Sequence, residues 1–363
     1  MKENPITTVF LCRMGFEQDL AEEITHKTGL GGGASPDLEI WEGMVTTHGP
    51  PRKLRGAAPI FARQKCEGAI WLDWHESQST GVKGGAGDVE QMARRVIKQW
   101  LAAPPHGGAW ALHCYAPDPI HPLAPLAAAL ERAVKRGLPA GAGSAAGEAP
   151  TPPWVLQLVW GVKPQGESSS GSTGFWGGWS RAEDLLSPRP GGIHRMRQDP
   201  LAPSRSYLKM EEALEMMGES PKAGQRVADL GAAPGGWSWS FLKRGCRVLA
   251  VDKGPMKLPG QEEAAGELTH LRADGMTFTP PASWLPLDWL VSDMLVPPGK
   301  TLGLLRTWLG QRLAARFVVN IKLPQHHPYA ALKPIEDFMD QLPGCRFTLR
   351  QLYHDRREVT LMG

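Results

Sequence analysis

Apolar residues along the first half of the chain recur with two periods. Thr7 to Cys12 is a β-prone run, Gly15-Phe16 interrupts it, and Phe16, Leu20 and Ile24 then fall at helical spacing over Glu17 to Lys27. Gly29 to Gly33 ends that helix, and Leu38 to Thr47 can pair back as a strand. Ile60-Phe61-Ala62 and Ala69 to Leu72 read as further strand starts, followed by an amphipathic helix over Val89 to Leu101. Trp110 to Tyr115 and Trp154 to Trp160 read as strands, with a helix over Leu126 to Arg136 between them. This alternation predicts a small α/β substrate-handling region. Pro139 to Pro153 and Gly161 to Pro203 are rich in Gly, Pro and small residues and read as linkers or long loops.

From Ala202 the pattern changes to short apolar runs that end in charged residues. Arg226 to Leu230 runs into a glycine-rich turn and a helix from Gly235. Arg247 to Asp252 and Leu287 to Asp293 end in acids, and Arg316 to Lys322 ends in a base. Phe347 to Tyr353 and Glu358 to Met362 read as a closing hairpin. Repeated strand–loop–helix units predict a mostly parallel sheet with its functional groups at the carboxyl ends of the strands.

Composition narrows the picture only slightly. The chain has 363 residues, 42% hydrophobic, with a formal net charge of +3, which suits nucleic acid as a partner and an ordinary enzyme alike. Its five cysteines are scattered without a CxxC pair, so reduced thiols are expected rather than a metal site or a disulfide framework. No apolar run is long enough to span a bilayer, and Met1 to Thr8 lacks the pattern of a signal peptide. The expectation is a cytoplasmic protein with no membrane and no metal.

The chemistry concentrates in the second half. Asp229-Leu230-Gly231-Ala232-Ala233-Pro234-Gly235-Gly236-Trp237 joins a strand to a helix N-terminus through a turn that lets a ligand approach the backbone. It is not G-x-G-x-x-G, which disfavours an NAD-type oxidoreductase. Asp252 ends the next strand about twenty residues on, where a carboxylate can accept both ribose hydroxyls of an adenosine. In the long loop, Arg189, Arg195 and Arg197 with Trp176 and Trp179 have the residue types that grip phosphates and stack on exposed bases.

The D-L-G-x-x-P-G-G-[WF] run resembles motif I of FtsJ-like methyltransferases. Lys209, Asp293, Lys322 and Glu358, in order along the chain, resemble the Lys-Asp-Lys-Glu tetrad of RNA ribose 2′-O-methyltransferases. Ala202 to Ser206, Val251 to Met256, Asn320 to Pro324, Gln351 to Thr360 and, near the front, Cys12 to Glu17 and Phe61 to Gln64 are similar to the RlmM-type enzymes, which methylate a cytidine ribose of 23S ribosomal RNA. The likeness is dense over 200–363 and thin over 30–200.

The resemblance implies a Rossmann-like class I methyltransferase domain, a mostly parallel sheet with a C-terminal antiparallel hairpin, preceded by an α+β ferredoxin-like and THUMP-type RNA-binding region. It implies domains at 1–55 (ferredoxin-like), 56–165 (THUMP-type), 166–201 (linker) and 202–363 (methyltransferase). The implied cofactor is S-adenosyl-L-methionine, contacted by Ser206 and by Ala233, Pro234, Gly235 and Gly236, with Asp252 at the ribose, Asp274 at the adenine and Asp293 near the sulfonium. Ala233 stands where the family commonly has cysteine, in a contact made mainly by backbone. The implied partner is 23S rRNA or its precursor. Lys322 would take the 2′-hydroxyl proton, its hold on its own proton weakened by desolvation and by Lys209, with Asp293 and Glu358 holding both amines. The alternatives are 2′-O-methylation of an rRNA uridine, a tRNA or a cap, and a non-catalytic RNA-binding assembly factor. Retention of all four tetrad residues counts against the last.

Overall fold

The structure, a computed structural model, describes residues 6–29, 38–49, 58–74, 86–104, 109–138, 152–163, 172–258, 265–341 and 346–363. The chain divides into two compact units, Met1–Ile193 and His194–Gly363. No helix among the described residues is long and apolar enough to cross a membrane.

The first unit contains two four-stranded sheets. In the first, β1 (Ile6–Leu11), β2 (Leu38–Trp41), β3 (Met44–Gly49) and β4 (Gln64–Glu67) pair antiparallel in the order β2-β3-β1-β4. Helix α1 (Glu17–Thr28) buries Leu20 and Ile24, as the helical spacing predicts, and carries acids in its first turn and bases in its last, matched to its dipole. In the second, β5 (Ile70–Asp73), β6 (Trp110–Tyr115), β7 (Trp154–Val162) and β8 (Thr173–Arg181) stand in the order β5-β8-β7-β6. Helices α2 (Ala86–Val96) and α3 (Ala124–Gly137) share one core with it, joining Met92, Val96, Leu130 and Val134 to Leu156, Leu158 and Trp160.

Several boundaries differ from the sequence expectation. Leu38 to Thr47 is not one strand but a hairpin folded at Glu42-Gly43. The region expected to end at 55 extends through β4, which pairs with β1, and Ile60 to Ala62 lies in the turn before it. The expected boundary at 165 and linker over 166–201 cut across β8, which pairs along its length with β7. Composition misled here: Gly174, Gly177 and Gly178 are strand residues, and a Cβ on Gly177 would fall 2.5 Å from the Trp100 ring. Trp176 packs against Trp41 and Trp71, and Trp179 against Trp110, from positions on β8 rather than in a loop. Most of the linker expected over 139–153 lies outside the described residues.

The second unit starts eight residues before the expected 202. Asp199 accounts for this, since it accepts a hydrogen bond from Trp239 Nε1 at 2.8 Å. The elements are α4 (Tyr207–Met217), β9 (Arg226–Leu230), α5 (Gly236–Leu242), β10 (Arg247–Val251), β11 (Glu267–Leu271), β12 (Leu287–Ser292), α6 (Pro298–Gly310), β13 (Ala314–Lys322), α7 (Lys333–Asp340), β14 (Thr348–Arg350) and β15 (Glu358–Met362). They form a seven-stranded sheet ordered β11-β10-β9-β12-β13-β15-β14. Strands β9 to β13 are parallel, and β15 runs antiparallel to β13 and β14. This is the expected Rossmann-like sheet with its closing hairpin. Val227, Val248, Leu249 and Val291 are fully buried, as strands covered on both faces require.

Candidate active site

Strand order sets the position of the site. The chain passes from β9 outward to β10 and β11, then returns to β12 on the other side of β9, so the order reverses between β9 and β12. Loops diverge at such a point and open a crevice outside the carboxyl ends of the strands. Because β9 to β13 are parallel, the glycine turn after β9, Asp252 after β10, Asp274 after β11, Asp293 after β12 and Lys322 at the end of β13 all come to that edge.

The turn after β9 is shaped for close approach. Gly235 has φ 115° and caps α5, a backbone conformation that side chains disfavour. A Cβ on Gly236 would lie 2.4 Å from both Ser204 Oγ and Ser206 Oγ, which are themselves 2.7 Å apart. Trp237 Nε1 donates to the Ser206 carbonyl at 3.0 Å and fixes the segment leading into α4 against the turn. Asp252 accepts Ala233 N at 3.1 Å and Gly254 N at 2.6 Å, so its carboxylate holds the glycine turn and its own strand end together. Asp274 accepts Met276 N at 2.9 Å and pairs with Lys253 at 2.8 Å; the Lys253 bond holds its carboxyl below the usual range. Beneath the turn, Asp229 is buried and bonded by Ser238 Oγ at 2.7 Å. Burial raises its carboxyl to about 7 against that bond. A close-fitting backbone turn with acids on the two neighbouring strand ends suits an adenosine-bearing cofactor.

Across the crevice the four predicted residues meet. Asp293 reaches Lys209 Nζ at 3.2 Å through Oδ2 and Lys322 Nζ at 2.5 Å through Oδ1. Glu358 reaches Lys209 at 2.5 Å through Oε1 and Lys322 at 3.3 Å through Oε2. Each carboxylate bridges both amines, giving a ring of alternating charge. Lys322 and Glu358 are direct partners in the β13–β15 register, Asp293 directly follows β12, and Lys209 comes from the first turn of α4. Burial works against the charge of Lys209, but Asp293 and then Glu358 outweigh it and raise its pKa. Burial likewise opposes the charge of Glu358, and Lys209 and Lys322 outweigh it to lower that carboxyl.

Sequence reading missed the residues that support this ring. Asn320 Nδ2 donates to Asp293 Oδ1 at 3.1 Å. Glu212, buried three residues after Lys209 on α4, accepts Tyr353 N at 2.7 Å and His354 N at 3.0 Å and so anchors the turn that leads to Glu358. Only helical spacing from Lys209 could have pointed to it.

A family model described as FtsJ-like methyltransferase matches residues 202–319. A protein of Laribacter hongkongensis called ribosomal RNA large subunit methyltransferase M is 44% identical over 186 residues, 48% of this chain and 51% of that protein. That alignment spans about half of the relative. Proteins of the same name align over nearly their whole length: one from Pseudomonas putida is 30% identical over 98% of this chain and 97% of its own, and one from Pseudomonas fluorescens is 32% identical over 98% and 96%.

Proposed function

The chain belongs to the ribosomal RNA large subunit methyltransferase M family, and from that premise we propose that it methylates a ribose 2′-hydroxyl of large-subunit ribosomal RNA. The nucleotide favoured by the resemblance is a cytidine of 23S rRNA, and the compartment is the cytoplasm. The observation that carries the reading is the ring in which Asp293 and Glu358 each bridge Lys209 and Lys322. Binding alone has no use for two amines so arranged at the edge of a cofactor-type crevice.

S-adenosylmethionine, when bound, supplies an electrophilic methyl group. The Ala233–Gly236 turn and Ser206 would hold its methionine part, Asp252 its ribose, Asp274 the adenine side and Asp293 the region of positive charge. Lys322 acts as the neutral amine: after releasing its own proton to solvent it takes the proton of the attacking hydroxyl, a general-base role worth roughly 10²–10⁴ in rate. Lys209 stays charged, held by Asp293 and Glu358, and shares both carboxylates with Lys322. Arg195 and Arg197 are exposed and are candidates for phosphate contacts. The first unit is the candidate THUMP-type RNA-binding part.

The test is incubation with labelled S-adenosylmethionine and unmodified large-subunit rRNA, with mapping by mass spectrometry. One labelled cytidine in 23S RNA is expected. Label on a different RNA, or none, counts against the reading.

A further inference from the structure

Glu358 enters the ring from the turn 351–357, and that turn holds a carboxyl group for which the proposed chemistry has no role. Asp355 is fully buried. Its Oδ2 lies 2.9 Å from Leu352 N and 2.9 Å from Thr360 Oγ1. Thr360 Oγ1 in turn lies 2.7 Å from Asn320 Oδ1, and Asn320 Nδ2 lies 3.1 Å from Asp293 Oδ1. That Asp293 oxygen is the one that receives Lys322 at 2.5 Å. A single file of polar atoms therefore runs from Asp355 through Thr360 and Asn320 into the ring.

Counting hydrogens along this file assigns its protonation. Asn320 turns its amide nitrogen to Asp293, because the reverse orientation sets a carbonyl against a carboxylate. Its carbonyl then faces Thr360 and consumes the one hydroxyl hydrogen that Thr360 owns, in the 2.7 Å contact. The 2.9 Å contact between Thr360 and Asp355 needs a hydrogen from the other side. With Asp355 ionised, one of these two contacts would set bare oxygens against each other in a buried site, where an unmade hydrogen bond is costly. We infer that Asp355 is a neutral carboxylic acid that donates to Thr360 and, through Thr360 and Asn320, positions Asp293 against Lys322.

The surroundings agree. Burial pushes the Asp355 carboxyl well above the usual carboxylate range, Glu358 pushes the same way, Lys209 opposes, and Glu212 adds to the rise. Glu358 faces it from the start of β15, and Lys209 and Glu212 face it from α4. A neutral acid also suits the ring, because it fixes Asp293 without adding a third negative charge beside Glu358. Asp355 is thus a positioning residue, separated from Lys322 by the side chains of Thr360, Asn320 and Asp293.

The inference deepens the methyl-transfer reading, and its kinetic test rests on that reading. Leu352 N and Thr360 Oγ1 meet the same oxygen of Asp355, which must donate to one and accept from the other, and asparagine has no such atom; Asp355→Asn, Asp355→Ala and Thr360→Val are therefore all expected to lower kcat roughly tenfold or more with KM for S-adenosylmethionine unchanged. Wild-type kcat in Asp355→Ala and Thr360→Val would overturn the positioning role. Infrared spectroscopy gives an arm that needs no turnover. At neutral pH the wild-type protein should show a protonated-carboxyl stretch that shifts in Thr360→Val, and the lack of any such shift would overturn the inference. If wild-type protein transfers no methyl group, the functional reading falls, and the response of the infrared band to Thr360→Val still decides the state of Asp355.

Discussion

Both units use buried charge to hold backbone, as Glu23 does in the first and Glu212 in the second, but the second adds a ring of charges that bind one another. In the first, buried polar side chains bind backbone. Glu23, fully buried, accepts Ile60 N at 2.7 Å and Phe61 N at 3.1 Å. Arg63 donates to the carbonyls of Cys12 and Pro117, and Gln64 donates to that of Ser187. In the second, Lys209, Asp293, Lys322 and Glu358 bind one another at the open edge of the sheet. A charge that satisfies backbone groups holds loops in place, and its removal leaves buried amides or carbonyls without partners. Charges that satisfy each other stabilise little beyond their own desolvation cost, and are better explained by chemistry done at that spot.

Four measurements can break or sharpen that contrast. The largest effect is expected at Lys322. Lys322→Ala should lower turnover by about 10³ or more while S-adenosylmethionine still binds, and Lys322→Arg should fail nearly as badly because a guanidinium stays protonated. Near-normal turnover in Lys322→Arg would remove the base role. Next comes Glu23→Ala, which frees two buried amides and should cost about 2–5 kcal/mol in denaturant unfolding of the first unit. If it instead costs less than Lys322→Ala does, the contrast between the units is lost.

Asp252→Ala should weaken S-adenosylmethionine about tenfold or more by calorimetry, through lost hydroxyl acceptors and a loosened Ala233–Gly254 clamp. Unchanged affinity would move the ribose contact to another residue.

The last measurement is a pH dependence. Asp229 has its carboxyl raised to about 7 by burial, so the folded state keeps a proton that the unfolded chain releases near the ordinary 3.8. The stability this contributes is fully present below about pH 4 and is lost as pH rises through about 7. Asp229→Asn cannot titrate, so the wild type should lose unfolding free energy relative to it between those limits and no further above them. A constant difference from pH 4 to 8 would mean that Asp229 stays ionised.

The second unit was legible because its chemistry recurs at strand ends. A parallel sheet brings every carboxyl-terminal loop to one edge, so Asp252, Asp293 and Lys322 could be assigned to one site from apolar runs and their last residues. Its supporting groups were not legible. Asn320, Thr360 and Asp355 act through contacts between β13 and β15 that only the antiparallel register reveals. The edge strand β11 was missed because Glu267–Leu271 is mostly half-exposed and has no apolar run. In the first unit the tryptophans misled. Trp176 and Trp179 sit among glycines that look like loop, yet those glycines are strand residues that make room for Trp71 and Trp100, so both tryptophans stand on β8.

The central claim is that the four-charge ring methylates a ribose hydroxyl rather than a base. Alkaline hydrolysis of RNA labelled by this protein tests it directly, because cleavage requires a free 2′-hydroxyl. If the account is right, the label survives in an alkali-resistant dinucleotide, and Lys322→Ala protein produces none. Label recovered in alkali-released mononucleotides would place the methyl group on a base and contradict it.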